Sequence, residues 1–289
     1  METNISFKSD GVDIVGVMHR PDDLKPGEKR PLIIATHGFG GSKIDGSMAT
    51  VCPILCDWGY IAVRFDSRGC GESGGERGRV ICMDQVNDLG NAIDWLATQD
   101  NVDPDQIILL GDSLGAAVSL YTGGSNDKVS GVIAVGGWGN GLEKSKLQHA
   151  GEGAWDKYQD MLKRGREHKA KTGESMKVHR FDIVPIPMHM RDQLPDDAIM
   201  EFPVDTAESI CSFMPINVIG NLAPRPLLLM HAATDAVTPT DSTLEVFQHA
   251  NLPKDLILLS GLDHFPLGTA DKRLYNVLRD WLDLHFALK

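Results

Sequence analysis

The sequence predicts an α/β fold with a mostly parallel central sheet, flanked by helices and interrupted by one inserted segment. Three observations lead to this prediction: short apolar runs recur along the chain, amphipathic stretches separate them, and one long region lacks such runs. Short apolar runs bounded by turn residues are typical of strands that are buried on both faces. Their alternation with helical patterns indicates βα units and hence a parallel sheet.

Eight segments have strand patterns. The first two flank Asp10-Gly11 and predict a hairpin, because that dipeptide favours a tight turn. The other six are nearly continuous apolar runs. The eight segments are 4–8, 12–19, 31–36, 60–65, 106–110, 129–135, 226–230 and 256–259. Two amphipathic helices are predicted at 83–97 and around 274–282, where apolar residues recur at spacings of three and four.

Residues 138–216 break this alternation. The segment is rich in Met, His and Lys, and its first half carries a helical face formed by Trp155, Tyr158, Met161 and Leu162. We predict that residues 1–137 and 217–289 form the core of the fold and that 138–216 is an inserted cap, helical at first and irregular later. The cap follows the predicted strand 129–135. Functional sites of parallel α/β sheets lie at the carboxyl ends of the strands, so we expect the cap to cover the functional site.

Composition sets limits on function. A chain of 289 residues with 42% hydrophobic content can bury one large core and still carry an insertion. The net charge of -12 makes binding to nucleic acid unexpected, because the chain repels phosphate backbones. The polar N-terminus and the lack of a long apolar stretch predict neither a signal peptide nor a membrane span. Five cysteines without a CxxC pair suggest a cytoplasmic protein.

The sequence Gly111-Asp-Ser-Leu-Gly115 matches G-x-S-x-G. Alone this match is weak, since roughly 0.2 such matches arise by chance in a chain of this length. The context strengthens it, because a predicted strand precedes the motif and a predicted helix follows, as a nucleophile elbow requires. We therefore predict that Ser113 is a nucleophile on a strained turn. The alternative is a glycine-rich turn with an incidental serine.

An oxyanion hole is predicted from a second glycine-rich sequence. His37-Gly-Phe-Gly-Gly41 follows the third predicted strand. Acyl transfer develops negative charge on a carbonyl oxygen, which two preorganised N–H groups can stabilise. The candidates are the backbone N–H groups of Phe39 and of Leu114. The alternative for residues 37–41 is an ordinary glycine-rich turn.

The other members of a triad are predicted farther along the chain. Asp235 follows the strand 226–230 and His264 follows the strand 256–259. The order Ser, Asp, His is the one that α/β enzymes with a nucleophile elbow use. We predict that His264 is the general base and that Asp235 orients it.

Each of these two residues has rivals. Asp241 precedes a helical pattern, which favours a capping role, and Asp263 adjoins His264 and should point elsewhere. His249 closes a predicted helix, where a histidine more often serves the helix end, and His285 lies near the end of the chain. Two further histidines, His37 and His231, follow strands and could be structural partners of loops.

These motifs together resemble the α/β-hydrolase superfamily, and locally its cinnamoyl/feruloyl esterases and dienelactone-hydrolase-like esterases. The resemblance covers about 1–137 and 217–289. It is carried by His37-Gly-Phe-Gly-Gly41, Asp66-Ser-Arg-Gly-Cys-Gly-Glu-Ser73, Gly111-Asp-Ser-Leu-Gly115, His231-Ala-Ala-Thr-Asp235 and Asp263-His-Phe265. It implies two-step acyl transfer on a small-molecule ester or acyl substrate, without a cofactor. It also implies that the turn 66–73 has a structural role.

Several functions share this triad. A carboxylic-ester hydrolase is the leading prediction; an acyltransferase or thioesterase, a prolyl-type peptidase and a carbon–carbon bond hydrolase are alternatives. A binding protein that has lost catalysis is a further alternative, although a complete triad argues against it. No cluster of residues in the sequence suggests a metal site. The sequence leaves a homodimer open.

Large apolar residues of the predicted cap are candidates for substrate binding, since methionine suits irregular apolar pockets. For each one singly, the alternative is a place in the cap's own core. We expect substrates with an apolar acyl or alkyl group of limited size. The candidates are Trp138, Trp155, Phe181, Met188, Met190 and Met214.

Overall fold

The structure is a computed structural model and describes residues 1–194 and 198–288. Eight of the strands in these ranges form a central sheet, and two more pair in a separate hairpin. The strands are β1 (Glu2–Ser9), β2 (Val12–His19), β3 (Arg30–Thr36), β4 (Ile61–Phe65), β5 (Val102–Asp112), β6 (Val129–Val135), β7 (Lys177–His179), β8 (Glu201–Pro203), β9 (Leu227–Ala232) and β10 (Lys254–Leu259).

The central sheet has the order β1-β2-β4-β3-β5-β6-β9-β10. The β1–β2 and β2–β4 pairs are antiparallel, and the other five neighbouring pairs are parallel. Each of the eight predicted strand segments is a strand of this sheet. The predicted fold class, an α/β fold with a mostly parallel sheet flanked by helices, is confirmed.

Helices cover both faces of the sheet. Leu55 of the first helix and Leu278 of the last belong to one buried apolar cluster, on one face. Leu89 and Ala117 of the second and third helices belong to the cluster on the other face. The helices are α1 (Gly46–Asp57), α2 (Cys82–Leu96), α3 (Leu114–Ser125), α4 (Gly141–Gln148), α5 (Ala154–Thr172), α6 (Arg180–Ile183), α7 (Val204–Ser212), α8 (Asp241–His249) and α9 (Lys272–His285).

Residues 138–216 contain α4 to α7 and the antiparallel β7–β8 hairpin, with residues 195–197 lying outside the described ranges. The predicted helical face is present, since α5 buries Tyr158 and Met161. Tyr158 Oη donates a hydrogen bond to the Ala207 carbonyl of α7, at 3.4 Å. The expectation of irregular structure in the second half is wrong for the hairpin and α7. The division into a core and a cap stays a prediction.

The carboxyl ends of the parallel strands share one edge of the sheet. Residues 37–41 follow β3, Ser113 follows β5, Asp235 lies three residues after β9, and His264 lies five residues after β10. This shared edge is where α/β sheets place their sites. Within residues 1–194 and 198–288, no helix combines the length and apolar character needed to cross a membrane.

Candidate active site

Ser113 occupies the turn between β5 and α3. Its backbone has φ 55° and ψ -113°, a conformation that costs a non-glycine residue free energy and needs support from its surroundings. Its N–H donates to the Val135 carbonyl at 2.9 Å. The flanking glycines leave room for this turn: a Cβ at Gly111 would overlap the backbone of Gly115, and one at Gly115 would overlap the Thr36 carbonyl. The motif therefore folds as a nucleophile elbow.

Ser113, His264 and Asp235 form a continuous hydrogen-bonded chain. The distance between His264 Nε2 and Ser113 Oγ is 3.0 Å, and that between His264 Nδ1 and Asp235 Oδ2 is 2.8 Å. A carboxylate only accepts hydrogen bonds, so Nδ1 carries a proton and Nε2 is free to accept the serine hydroxyl. The structure brings the three predicted residues together in the arrangement that nucleophile activation requires.

Backbone N–H groups and a second histidine hold Asp235. Its Oδ1 accepts hydrogen bonds from the N–H groups of Val237 and Thr238, both at 2.7 Å. His231 Nε2 lies 3.2 Å from Oδ2. Burial acts to raise the pKa of Asp235, but attraction by His264 and hydrogen bonds from His231 and His264 outweigh it, and the pKa lies far below its ordinary value. Asp235 is thus an anion whenever the site operates near neutral pH.

The rivals for acid and base have other places. Asp263 Oδ1 accepts the N–H groups of Ala236 and His264, both at 2.8 Å, so it ties the two triad loops together. Asp241 is an exposed residue in the first turn of α8. His249 Nδ1 bonds the Glu245 carbonyl one turn earlier. His37 Nε2 accepts the N–H of Ser67 at 3.0 Å, which makes it a structural partner of that loop.

The N–H groups of Phe39 and Leu114, the predicted oxyanion donors, have no acceptor among the backbone carbonyls of the described residues. Leu114 is the first residue of α3, so its N–H has no acceptor within the helix. Within the described ranges neither N–H donates to a protein acceptor. Gly38 packs directly on the serine, since a Cβ there would lie 3.4 Å from Ser113 Cβ. Both donors are therefore free for a substrate oxygen.

A cavity of about 360 Å³ is lined by Ser113 and His264. This volume is near the lower end of ligand pockets, which run from about 300 to 1,000 Å³. Most of its lining is apolar, and part of it comes from residues 138–216. The apolar lining includes Phe39, Val184, Ile186, Leu194, Val237 and Phe265.

Three charged residues in the cavity wall, Asp45, Asp112 and Arg180, were not predicted from the sequence. Asp112 stands inside the G-x-S-x-G motif at its variable position; burial raises its pKa to about 6, and its Oδ1 has no hydrogen-bond partner in the described part of the chain. Arg180, at the start of α6, is also buried there. No motif in the sequence marks Arg180, whereas Asp112 directly precedes the predicted nucleophile.

The six predicted substrate-binding residues are not among the described residues that line this cavity. Trp138 is buried edge-on against Phe213, with ring centroids 5.9 Å apart. Trp155 stacks on Tyr158, and the Phe181 ring lies under the Arg191 guanidinium.

The three methionines also lie elsewhere. Met190 is buried in the larger apolar cluster, Met188 is 73% exposed, and Met214 lines a different pocket beside Phe213. None of the six residues lines this cavity, because these large side chains either pack against other residues of 138–216 or face solvent. A role for them in substrate binding stays a prediction.

We expect kcat/KM to rise with pH through an ionisation whose midpoint lies above 6.5. Burial acts to lower the pKa of His264, but attraction by Asp235, their hydrogen bond and the charge of Asp112 outweigh it, and the net pKa is raised from 6.5. The base must be neutral, so activity falls as pH drops through this raised pKa. Initial rates between about pH 5 and 9 measure the midpoint. A pH-independent rate across this range would exclude a histidine base.

Comparisons with known proteins are consistent with the α/β fold described above. A family model described as "Serine aminopeptidase, S33" matches residues 27–270. A curated relative, the polyketide transferase grgF of Penicillium sp, is 24% identical over 281 residues, which cover 91% of this chain and 92% of the relative.

Two solved structures share the fold. The α/β hydrolase GrgF from Penicillium sp. sh18 has a TM-score of 0.83 at 22% identity and covers 100% of both chains. Est1E from Butyrivibrio proteoclasticus, solved with ferulic acid bound, has a TM-score of 0.72 at 15% identity and covers 98% of this chain and 100% of its own. The resemblance to the α/β-hydrolase superfamily is confirmed. With the family model spanning most of its length, this chain belongs to the "Serine aminopeptidase, S33" family of α/β hydrolases.

Proposed function

We propose that this protein is a serine hydrolase that cleaves carboxylic esters through an acyl-enzyme on Ser113. The observation that carries the proposal is the unbroken hydrogen-bonded chain from Ser113 through His264 to Asp235, at the wall of a largely apolar cavity. A serine on a strained elbow, a base in reach and an anion behind the base are the parts that acyl transfer requires.

The proposed reaction has two steps, acylation of Ser113 and hydrolysis of the acyl-enzyme. His264 Nε2 takes the proton of Ser113 Oγ while the oxygen attacks the ester carbonyl, and the N–H groups of Phe39 and Leu114 donate to the oxyanion that forms. Asp235 stabilises the resulting imidazolium. The imidazolium protonates the leaving alcohol, which departs from the acyl-enzyme. A water molecule deprotonated by His264 then attacks the acyl carbonyl, and the carboxylic acid and free serine are released.

The cavity favours a small, mostly apolar acyl or alkyl group. Its volume of about 360 Å³ leaves space for a short chain or a single ring. Ile186 and Leu194 of the inserted segment and Val237 after β9 supply apolar contacts. The inserted segment thus contributes to substrate choice in this proposal, through residues other than the six predicted.

Acyl transfer to an alcohol, thiol or amine is the second candidate. It is favoured by the names of two relatives, the polyketide transferase grgF of Penicillium sp and the acyltransferase drtE of Aspergillus calidoustus. The activities in these names are those of the two relatives. The chemistry differs only in the nucleophile that attacks the acyl-enzyme, so the same triad serves both reactions.

We expect hydrolysis of p-nitrophenyl esters with short acyl chains and a fall in kcat/KM as the chain outgrows the cavity. Leu194→Ala should enlarge the cavity and raise the ratio of kcat/KM for long over short chains by at least about threefold, since single methylene groups change such ratios by about 10-fold or more. The measurement is kcat/KM over acyl chains of two to about twelve carbons, for wild type and variant.

Met188→Ala is the matched control, because Met188 belongs to the same segment but is 73% exposed and outside the cavity wall. Its ratio should equal that of wild type. Identical ratios in all three proteins would remove Leu194 from substrate choice.

The same assay with added alcohols or amines separates the two candidate functions: ester or amide products in excess of free acid would favour the transferase.

A further inference from the structure

We propose that Arg180 of the inserted segment is a positioning residue for the oxyanion loop, defined here as residues 37–41. The proposal rests on the proposed function, because it assigns the Phe39 N–H to the oxyanion hole. Arg180 touches neither Ser113 nor His264 by hydrogen bond in the structure. It acts through Phe39, whose carbonyl oxygen accepts a hydrogen bond from Arg180 Nη2 at 2.6 Å.

The oxyanion loop is held from both sides but is rich in glycine at its centre. On one side His37 is fixed by the Ser67 N–H, and just beyond the loop the Lys43 N–H donates to the buried carboxylate of Asp66 at 2.6 Å. Between these anchors the Gly41 N–H donates to the Gly38 carbonyl at 3.1 Å, but the glycines at 38, 40 and 41 still allow several orientations of the peptide groups in this turn. A loop of this composition holds an N–H in one direction only if other residues constrain it.

Arg180 and Phe202 provide that constraint. The Phe39 and Phe202 rings stack with centroids 4.4 Å apart, and the Arg180 guanidinium lies 5.2 Å from the centroid of the Phe39 ring. A Cβ at Gly40 would overlap the Phe202 ring and lie 3.0 Å from Arg180 Nη1. The inserted segment therefore fills the space directly over the loop and fixes both the ring and the carbonyl of Phe39.

Packing alone does not explain why a charged side chain is buried at position 180. Arg180 is 5% exposed, and among the described residues no carboxylate lies within 4.0 Å of it; Asp45 attracts the guanidinium only from beyond that distance. Its second hydrogen bond, from Nη1 to the Ile199 carbonyl at 3.1 Å, also goes to backbone. An apolar side chain could fill this volume without the cost of burying a cation. What the guanidinium adds is two directed donors, one of which holds the residue that carries the oxyanion N–H.

The test compares wild type with Arg180→Met and Arg180→Lys. In Arg180→Met we expect kcat to fall roughly 10- to 100-fold with KM within about threefold, because loss of a complete oxyanion donor costs about 10²–10³-fold. A trifluoromethyl ketone, which forms an oxyanion on the serine, should lose affinity by a similar factor, whereas the matching methyl ketone should not. Lysine can reach one carbonyl, so Arg180→Lys should recover part of kcat.

Hydrogen exchange of peptides that cover residues 37–41 gives a readout independent of turnover. Arg225→Met is the control, because Arg225 also donates to backbone carbonyls, those of Asn126 and Val129, but at the opposite end of β6. We expect faster exchange of the oxyanion loop in Arg180→Met and no change there in Arg225→Met.

Two outcomes overturn the assignment of Arg180. One is hydrogen exchange of the oxyanion loop in Arg180→Met equal to that of wild type. The other is changes in kcat and KM in Arg180→Met that match those in Arg225→Met. If wild type neither turns over esters nor reacts with a fluorophosphonate, the proposed function fails. In that case faster loop exchange in Arg180→Met still supports the positioning role, and unchanged exchange still refutes it.

Discussion

Ser113→Ala is expected to lower ester turnover by at least about 10⁴-fold and to abolish labelling by a fluorophosphonate probe. The hydroxyl is the atom that bonds to the acyl group, and no other serine hydroxyl lies within hydrogen-bond distance of His264 Nε2 in the described ranges. Alanine keeps the Cβ of serine, and Gly111 and Gly115 still leave room for the turn. We therefore expect the unfolding temperature to stay within about 2 °C of wild type.

Ser125→Ala provides the matched control for this experiment. Ser125 is exposed at the last position of α3, the helix that Ser113 precedes, and its hydroxyl donates to the Tyr121 carbonyl at 2.7 Å. Turnover and labelling should match wild type in this variant. A Ser113→Ala protein that keeps about a tenth of wild-type turnover would show that another group is the nucleophile.

Much of the fold could be predicted because its strands are buried on both faces. Burial on both faces requires continuous apolar runs, and such runs are visible in a single sequence as 31–36, 106–110 or 129–135. The Ser–His–Asp geometry could be anticipated for a related reason. In a parallel sheet the residues that follow strands meet at one edge, so order along the chain translates into proximity.

The cavity wall could not be predicted in the same way. Size and apolarity make Trp138 and Trp155 candidates for the wall, yet the same properties suit the interior of residues 138–216, where the two rings pack on Phe213 and Tyr158. The wall instead includes Val184 and Ile186, which stand in a short stretch without periodicity. Arg180, which bonds to the Phe39 carbonyl, directly follows β7, and β7 and β8 are three-residue strands, too short to leave a recognisable pattern in the sequence.

Asp235→Asn is expected to lower kcat by about 10⁴-fold while the site keeps its shape. The asparagine carbonyl oxygen can still accept the N–H groups of Val237 and Thr238, which hold the native side chain at 2.7 Å. Its NH₂ group then faces His264 Nδ1 and can only donate. The imidazole must place its proton on Nε2, where it can no longer accept the hydroxyl of Ser113. Steady-state kinetics on a p-nitrophenyl ester measure the loss.

The pH profile separates this electrostatic role of Asp235 from structural damage. Attraction by Asp235 and the hydrogen bond to it raise the pKa of His264. Without the carboxylate that pKa falls, so the midpoint of the residual activity should move to lower pH. Asp241→Asn, an exposed change in the first turn of α8, should leave both rate and midpoint at their wild-type values. A midpoint that stays in place in Asp235→Asn would mean that Asp235 does not set the charge state of His264, and the assignment of the orienting acid would be wrong.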